Sequence, residues 1–274
     1  MKFGFVTCVQ LGLSCMEAIY AAGGRLDLAI TLPDQKARTK SGRIYLDEFC
    51  AQNGVPLFKA GHINEIATAE EIQARGIDWL FIIGWSQIAG PAVLAAPSLG
   101  TLGIHPTLLP QGRGRAAIPW AILKRLPKTG VTLFQLAEGV DTGPIVAQKE
   151  IPLSSDADAS WLYDQVNQSH VALIKEVLPR LITGALIPIP QDDSRATLWA
   201  GRKPEDGRID LGGSVRDAEC LVRAVTRPYP GAFLDQNGRR TTIWKSRIVP
   251  VPTGDCCLSF PDGFLECVDY DVLA

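Results

Sequence analysis

The chain of 274 residues lacks most of the patterns that assign a function directly. Its three histidines are scattered and no H-E-x-x-H segment occurs, so no metal site is predicted. The seven cysteines include no C-x-x-C pair, which argues against a disulfide framework or a cysteine zinc site. A net charge of −2 provides no general attraction to nucleic acid. No apolar run reaches the ~18 residues that a membrane span needs, so no membrane partner is expected.

The N-terminal segment MKFGFVTCVQLGLSC is mildly apolar, but Gln10 interrupts it and one lysine precedes it. It therefore fits a first sheet strand better than a secretory signal peptide. Because the cysteines are expected to stay reduced, we predict a cytoplasmic location.

Short apolar segments alternate with amphipathic ones through the first two thirds of the chain. This alternation is typical of a parallel sheet covered by helices. Strands are predicted at 2–7, 26–32, 55–58, 78–84, 99–105, 129–136 and 144–151. Helices are predicted at 13–22, 41–53, 69–75, 117–126 and 160–183.

The composition changes near residues 187–207, where proline, aspartate, arginine and glycine become frequent. Such a segment is typical of a surface linker. One helix is predicted beyond it at 214–226, and short strands at 232–234, 241–247, 256–259 and 264–270. The pairs Asn237-Gly238 and Asp262-Gly263 are typical of hairpin turns, so this part is predicted to be rich in β structure.

The strand at 99–105 ends in a histidine, His105, immediately before Pro106. Ligands bind at the carboxyl ends of strands in open α/β sheets, so the imidazole is expected at a binding edge. Asp141 follows 36 residues later in a second turn. Held at two strand ends, these side chains would form a pair able to transfer protons. The structural alternatives are a histidine bonded to the backbone and an aspartate that caps its own turn.

Four segments resemble a known family. HPTLLPQGRGRAAIPW and TGVTLFQLAEGVDTGPIVAQ resemble the formyltransferase domain that uses 10-formyltetrahydrofolate. GRKPEDGRID and LVRAVTRPYPGAF resemble the C-terminal part of sugar-nucleotide and methionyl-tRNA formyltransferases. The resemblance implies an α/β fold, with a Rossmann-like catalytic domain and mostly parallel twisted sheet at 1–190. A linker at 191–206 and a small, reduced OB-like β-rich domain at 207–274 complete the expected organisation.

The resemblance implies an N-formyltransferase whose cofactor is 10-formyltetrahydrofolate and whose acceptor is a primary amine. His105 would relay the proton that the amine loses, and Asp141 would orient the imidazole. The residues expected to contact the cofactor are Ile83, Trp85, Ile88, Gly114, Val140 and Asp141. The polar candidates for contact with the substrate are Gln10, Thr107 and Arg113. Core packing for Trp85 and an ordinary ion pair for Arg113 remain alternatives.

One position departs from the family pattern. The family usually carries an asparagine two residues before the histidine, whereas this chain has Gly103-Ile104-His105. That asparagine is thought to donate a hydrogen bond to the formyl oxygen, and losing such a donor costs on the order of 10²–10³ in rate. The departure leaves open a catalytically degenerate protein that binds folate or a nucleotide sugar without turnover.

The acceptor is predicted from charge. Residues 201–247 hold ten basic and six acidic residues, and residues 248–274 hold five acidic residues and no basic one. This part of the chain therefore has no strongly positive face for tRNA. We expect a small amine, such as an amino sugar linked to a nucleotide, with a methionyl-tRNA formyltransferase-like enzyme as the alternative. A homodimer is left open.

Overall fold

The structure, a computed structural model, describes residues 1–37, 43–236 and 238–273. The first residues of the helix predicted at 41–53 lie outside this part of the chain, as does Asn237 of the predicted Asn-Gly turn. Each of the seven cysteines is a free thiol. None of the helices among the described residues is long and apolar enough to cross a membrane.

The chain divides into two compact units that interleave along the sequence. The first contains Met1–Arg113, Gly130–Lys149 and Asn167–Thr197. The second contains Gly114–Thr129, Glu150–Val166 and the chain from Leu198 onward. The boundaries predicted at 190 and 206 stay predictions, because this division follows compactness in space and not position in sequence.

Thirteen strands are formed by the described residues. They are β1 Phe3–Val6, β2 Leu28–Thr31, β3 Leu57–Lys59, β4 Trp79–Ile82, β5 Gly100–His105, β6 Arg113–Gly114, β7 Lys128–Gln135, β8 Ile145–Pro152, β9 Leu198–Trp199, β10 Ala232–Gln236, β11 Arg239–Val249, β12 Cys257–Phe260 and β13 Gly263–Leu273. The eight α-helices among the same residues are α1 Gln10–Ala21, α2 Asp34–Ala37, α3 Asp47–Asn53, α4 Ile66–Ala74, α5 Pro91–Leu94, α6 Ala117–Leu123, α7 Ala159–Ile182 and α8 Val215–Val225.

The first unit is built on a seven-stranded sheet in the order β3-β2-β1-β4-β5-β7-β8. The strands from β3 to β5 pair in parallel, and β5 pairs with β7 in the antiparallel direction. All four residues of β1 and of β2 are buried, as expected for strands covered on both faces. The mostly parallel sheet of the predicted α/β fold is therefore confirmed. The register places His105, the last residue of β5, opposite Thr132 of β7.

The second unit contains a four-stranded antiparallel sheet in the order β10-β11-β13-β12. The helix α8 packs against this sheet. The Asp262 carboxylate contacts the N-terminus of α8. It accepts hydrogen bonds from the Val215 N–H and from the hydroxyl of the N-cap residue Ser214, both at 2.8 Å. Asp262 lies in the turn that joins β12 to β13, so this turn contacts the first residues of α8. The β-rich character predicted for this part is confirmed.

The prediction missed the shortest elements, which are the one-turn helices α2 and α5 and the two-residue strands β6 and β9. A single turn has too few residues to show a hydrophobic period. The longer elements begin or end within a few residues of their predicted limits. The helix predicted at 41–53 is confirmed at its end, because α3 closes on Gly54 in the left-handed conformation at φ 65°. It is wrong at 43–46, because these described residues are not helical and Arg43 instead forms a bridge with Val9.

Candidate active site

The imidazole of His105 lies at the carboxyl end of β5, 8 % exposed. Its Nε2 atom is 2.8 Å from the carbonyl oxygen of Gly112. Because a carbonyl oxygen only accepts hydrogen bonds, Nε2 must carry the hydrogen in this contact. The other nitrogen, Nδ1, then holds the lone pair of the neutral ring and is the one able to take up a proton. The Gly112 N–H in turn donates to the Thr197 hydroxyl at 2.8 Å, which fixes the loop around the ring.

Asp141 lies in the turn between β7 and β8, and its Oδ2 atom is 3.5 Å from Nδ1 of His105. The two side chains are 18 % and 10 % exposed, so the pair is largely shielded from water. Asp141 has φ 54°, in the left-handed region that few residues with a side chain adopt. The structure thus brings together the two residues on which the predicted chemistry depends.

A cavity of about 250 Å³ is lined by Asp141 and by Ile104, the residue before His105, whereas His105 itself is not part of its lining. Its walls are mostly apolar and its polar groups cluster in the turn that carries Asp141. The lining residues are Ile82, Trp85, Gln87, Ile88, Ala89, Leu94, Gly103, Ile104, Phe134, Leu136, Ala137, Glu138, Gly139, Val140 and Asp141. The rim carries two exposed apolar side chains, Ile88 at 83 % and Val140 at 59 %. A mostly apolar cavity with a carboxylate at one side is suited to a heteroaromatic ring.

Gly103 does not leave an empty space beside His105, because Leu136 occupies it. A Cβ atom added at Gly103 would stand 2.6 Å from Leu136 Cδ2 and 3.1 Å from its Cγ. An asparagine at this position would therefore need Leu136 to move. The chain thus pairs a glycine in β5 with a leucine just after β7, where the family pattern has a polar amide.

The remaining predicted contacts divide into two groups. Trp85, Ile88 and Val140 line the cavity with Asp141. The indole N–H of Trp85 is buried and has no hydrogen-bond partner among the described residues, which suits a ligand that brings an acceptor. Ile83, by contrast, is buried at 2 % exposure and is absent from the lining.

The predicted substrate contacts lie outside this lining. Gln10 is the first residue of α1, and its amide is 3.4 Å from the Ser14 hydroxyl. Thr107 is buried, and its carbonyl oxygen accepts a bond from the Thr132 hydroxyl at 2.7 Å. Arg113 is buried and bonded to side chains of residues 191 and 193, which supports the ion-pair alternative. These three positions have no contact with the cavity in the structure.

Gly114, predicted to contact the cofactor, belongs to the second unit. It has φ 108°, and a Cβ atom there would stand 2.4 Å from the carbonyl oxygen of Trp199. A side chain is therefore excluded by the close approach of the β6 and β9 backbones. This packing explains the glycine without reference to a ligand.

Two residues that matter for the site were not predicted. Leu136 has the sequence signature of any strand residue, and its place over Gly103 follows only from the pairing of β5 with β7. Gln191 lies in the proline-rich segment predicted to be a linker, yet its amide bonds to the turn of Asp141. Neither contact has a local sequence signal, since each joins residues more than 30 positions apart.

The second unit holds a larger cavity, of about 420 Å³. Three arginines line it: Arg125, Arg216 and Arg223. Arg125 forms an ion pair with Asp217 at 2.6 Å, and Arg223 forms one with Glu219 at 2.7 Å. Two of the three positive charges are therefore balanced by carboxylates within the unit.

The sequence matches two parts of one protein family. Residues 29–178 match the family described as formyl transferase, and residues 202–255 match the formyl transferase C-terminal domain. The chain belongs to the formyl transferase family. The resemblance stated from the motifs is confirmed, and the His105–Asp141 pair falls within the first matched range.

Solved structures similar to this formyl transferase show the same fold at low sequence identity. An N-formyltransferase from Helicobacter canadensis, in complex with folinic acid and dTDP-3-aminofucose, is 18% identical with a TM-score of 0.70, covering 97% of each chain. The methionyl-tRNA formyltransferase from Clostridium thermocellum is 18% identical with a TM-score of 0.62, covering 100% of this chain and 99% of the other. A HypX variant from Aquifex aeolicus is 18% identical with a TM-score of 0.69. The match covers 97% of this chain but only 44% of HypX.

Proposed function

We propose that this formyl transferase moves a formyl group from 10-formyltetrahydrofolate to the primary amine of a small molecule, an amino sugar linked to a nucleotide. The observation that carries the proposal is the 3.5 Å approach of the Asp141 carboxylate to Nδ1 of His105 beside an apolar cavity. The folate cofactor predicted from the motifs agrees with the similar structures, one of which contains folinic acid and another tetrahydrofolic acid. The cytoplasmic location remains a prediction.

The residues that line the cavity fit the flat ring of a folate. Trp85, Ile88 and Val140 would hold the ring through apolar contact, and the turn of Asp141 would border its polar edge. When bound, 10-formyltetrahydrofolate supplies a formyl group that is activated toward an amine. The exposure of Ile88 and Val140 is explained if a ligand covers them.

His105 would accept the proton that the amine loses as its nitrogen bonds to the formyl carbon. It would then pass that proton to the folate nitrogen as the bond between that nitrogen and the formyl carbon breaks. Its Nε2–H is held by the Gly112 carbonyl oxygen, so the ring presents Nδ1 as the base. The Asp141 carboxylate faces the same nitrogen and stabilises the positive charge that protonation creates. Proton transfer by a positioned side chain contributes ~10²–10⁴ in rate.

The amino sugar is favoured over an aminoacyl-tRNA by charge. The chain as a whole carries −2, and residues 248–274 have five acids and no base. A protein that binds tRNA needs several phosphate contacts from basic residues. The similarity to a methionyl-tRNA formyltransferase keeps that acceptor as the second candidate.

The test is a transfer assay with the purified chain, 10-formyltetrahydrofolate and separate acceptors. A dTDP-3-amino sugar, an amino acid and methionyl-tRNA are compared, and both tetrahydrofolate and the formylated product are measured by mass spectrometry. The Helicobacter canadensis enzyme with dTDP-3-aminofucose serves as the positive control. We expect tetrahydrofolate and the formylated amino sugar to form in equal amounts.

Three other results would each change the proposal. Transfer to methionyl-tRNA alone would replace the acceptor. Folate binding with no transfer to any acceptor would indicate a binding protein in which Gly103 has removed catalysis. A chain that neither binds folate nor transfers a formyl group would contradict the proposed function.

A further inference from the structure

The turn that carries Asp141 is held by a side chain from a distant segment. The amide nitrogen of Gln191 donates hydrogen bonds to the carbonyl oxygen of Asp141 at 2.8 Å and to that of Gly143 at 2.7 Å. Both acceptors belong to the same turn, and one of them is the backbone of the residue whose carboxylate faces His105. Gln191 therefore contacts the peptide groups that set the direction of that carboxylate.

Arg113 fixes the orientation of the Gln191 amide. Its Nε and Nη2 atoms lie 3.1 Å and 2.8 Å from Gln191 Oε1. Because a guanidinium only donates hydrogen bonds, the oxygen of the amide must face Arg113, and the NH₂ group must face the turn. Arg113 is buried at 9 % exposure and also pairs with Asp193 at 2.6 Å. Arg113 therefore donates to the oxygen of the Gln191 amide, and the nitrogen of that amide donates to the turn of Asp141.

The backbone of the turn is in an uncommon conformation. Asp141 has φ 54°, in the left-handed region that few residues other than glycine, asparagine and aspartate adopt. Such conformations persist where surrounding contacts hold them, and they cluster at functional sites. The two bonds from Gln191 are contacts of this kind.

Attachment of the segment does not explain Gln191. The backbone of Ile189 already pairs with Ile145, with both hydrogen bonds at 2.7 Å, so the segment is fastened to β8 two residues earlier. The Gln191 side chain adds nothing to that bridge. Its bonds go instead to the turn, on the side of the hairpin where Asp141 lies.

We propose that Gln191 is a positioning residue that holds the Asp141 carboxylate against His105, and that Arg113 sets the direction of its amide. This inference rests on the proposed function, since it assigns Gln191 a part in the same proton transfer. It predicts that Gln191 affects the rate only through Asp141.

The kinetic test is a double-mutant cycle with Gln191→Ala and Asp141→Ala. In the natural background we expect Gln191→Ala to lower kcat by ~10–100-fold, because displacement of a catalytic group by about 1 Å can cost 10²-fold. In the Asp141→Ala background the same change is expected to lower kcat by less than about twofold, as for residues that act as a unit. Equal losses in both backgrounds would overturn the proposal and indicate a role independent of Asp141.

Two further variants test whether the N–H donors of the Gln191 amide matter or only the size of its side chain. Gln191→Glu keeps an oxygen for Arg113 but removes both N–H donors, so we expect a loss as large as that of Gln191→Ala. The matched control Asp193→Ala removes the exposed partner of Arg113 and leaves the bonds from Gln191 to the turn in place. We expect Asp193→Ala to keep kcat within about twofold. A Gln191→Glu variant with natural kcat would contradict the proposal.

A readout without turnover separates this inference from the proposed function. Hydrogen exchange of a peptide covering residues 136–143 is compared between Gln191→Ala, Asp193→Ala and the natural chain. We expect faster exchange in Gln191→Ala only. Unchanged exchange would refute the positioning role whatever the reaction is. Faster exchange in Gln191→Ala, together with no formyl transfer by the natural chain, would refute the proposed function and leave the support of the turn standing.

Discussion

The cavity lined by Asp141 in the first unit and the cavity lined by arginines in the second unit differ in their size and in the charged groups around them. The cavity of the second unit measures about 420 Å³ and has three arginines in its lining, whereas that of the first unit measures about 250 Å³. Of these two cavities, the second is the larger and the more positively lined. Its ion pairs, however, are the kind that stabilise a fold, and one of them joins Glu219 and Arg223 at helical spacing. In the first unit, by contrast, the carboxylate that lines the cavity lies 3.5 Å from Nδ1 of His105.

The two cavities also differ in the backbone conformation of one lining residue. Each is lined by one non-glycine residue with positive φ, Asp141 at 54° and Arg125 at 50°. At Arg125 the cause is local, because the residue follows the C-cap of α6, and the Leu126 N–H donates to the Ala121 carbonyl oxygen at 3.1 Å as in a Schellman motif. At Asp141 no helix ends. The residue lies in a turn, and the Gln191 amide donates a hydrogen bond to its carbonyl oxygen at 2.8 Å. The two positive φ values therefore have different local causes, and neither by itself identifies a functional site.

The largest expected effect compares the two cavities directly. We expect His105→Ala and Asp141→Asn each to lower kcat/KM for formyl transfer by ~10²-fold or more, because each removes part of the proton-transfer pair. Arg216→Ala, in the second cavity, is expected to stay within about twofold. Steady-state rates are measured at saturating folate, with circular dichroism to confirm folding. A large loss of kcat/KM in Arg216→Ala would contradict the comparison and would assign the formyl transfer to the second cavity.

The next effect concerns the contact between Gly103 and Leu136. Gly103→Asn forces a side chain against Leu136, and overpacking of this kind costs about 1–3 kcal/mol of unfolding free energy. We expect a lower Tm and slower transfer, with stability partly recovered in the double variant Gly103→Asn with Leu136→Ala. Thermal melts and rates of both are compared with Leu136→Ala alone. Faster transfer by Gly103→Asn alone would mean that the natural chain lacks a donor that it needs.

The smallest expected effect tests whether the arginine contacts of the second cavity stabilise the fold. Arg223 has a side chain 18 % exposed, pairs with Glu219, and donates to the Ala157 carbonyl oxygen at 2.8 Å. Arg223→Ala should therefore lower the unfolding free energy by about 1–3 kcal/mol, because buried partners lose their hydrogen bonds. Arg216→Ala should change it by less than about 0.5 kcal/mol, as for an exposed position. Denaturant unfolding of the two variants measures both values, and equal stability would contradict the assignment.

The sequence predicts the parts of this protein whose signals are local. The apolar runs predict the sheet strands, and the His-Pro step at the end of β5 predicts a histidine at the binding edge. The DTG turn predicts the carboxylate. What it does not predict depends on contacts across the fold. Gln191 lies 50 residues from Asp141 in a segment whose prolines and acids are typical of a linker.

Interleaving of the two units was also beyond sequence reasoning. The segments Gly114–Thr129 and Glu150–Val166 belong with the C-terminal part, although their neighbours along the chain belong to the first unit. A composition change marks where a chain becomes polar, and it cannot show that a helix such as α6 packs with a later one, α8. Such assignments follow from contacts between segments that are distant in the sequence.

The most direct measurement is a crystal structure of the chain with folinic acid, the ligand of a similar enzyme. The account predicts that the flat ring lies in the cavity lined by Trp85, Ile88 and Val140, with its polar edge against the turn of Asp141. Ring density among Arg125, Arg216 and Arg223, or ring density that leaves Trp85 and Asp141 untouched, would contradict the account.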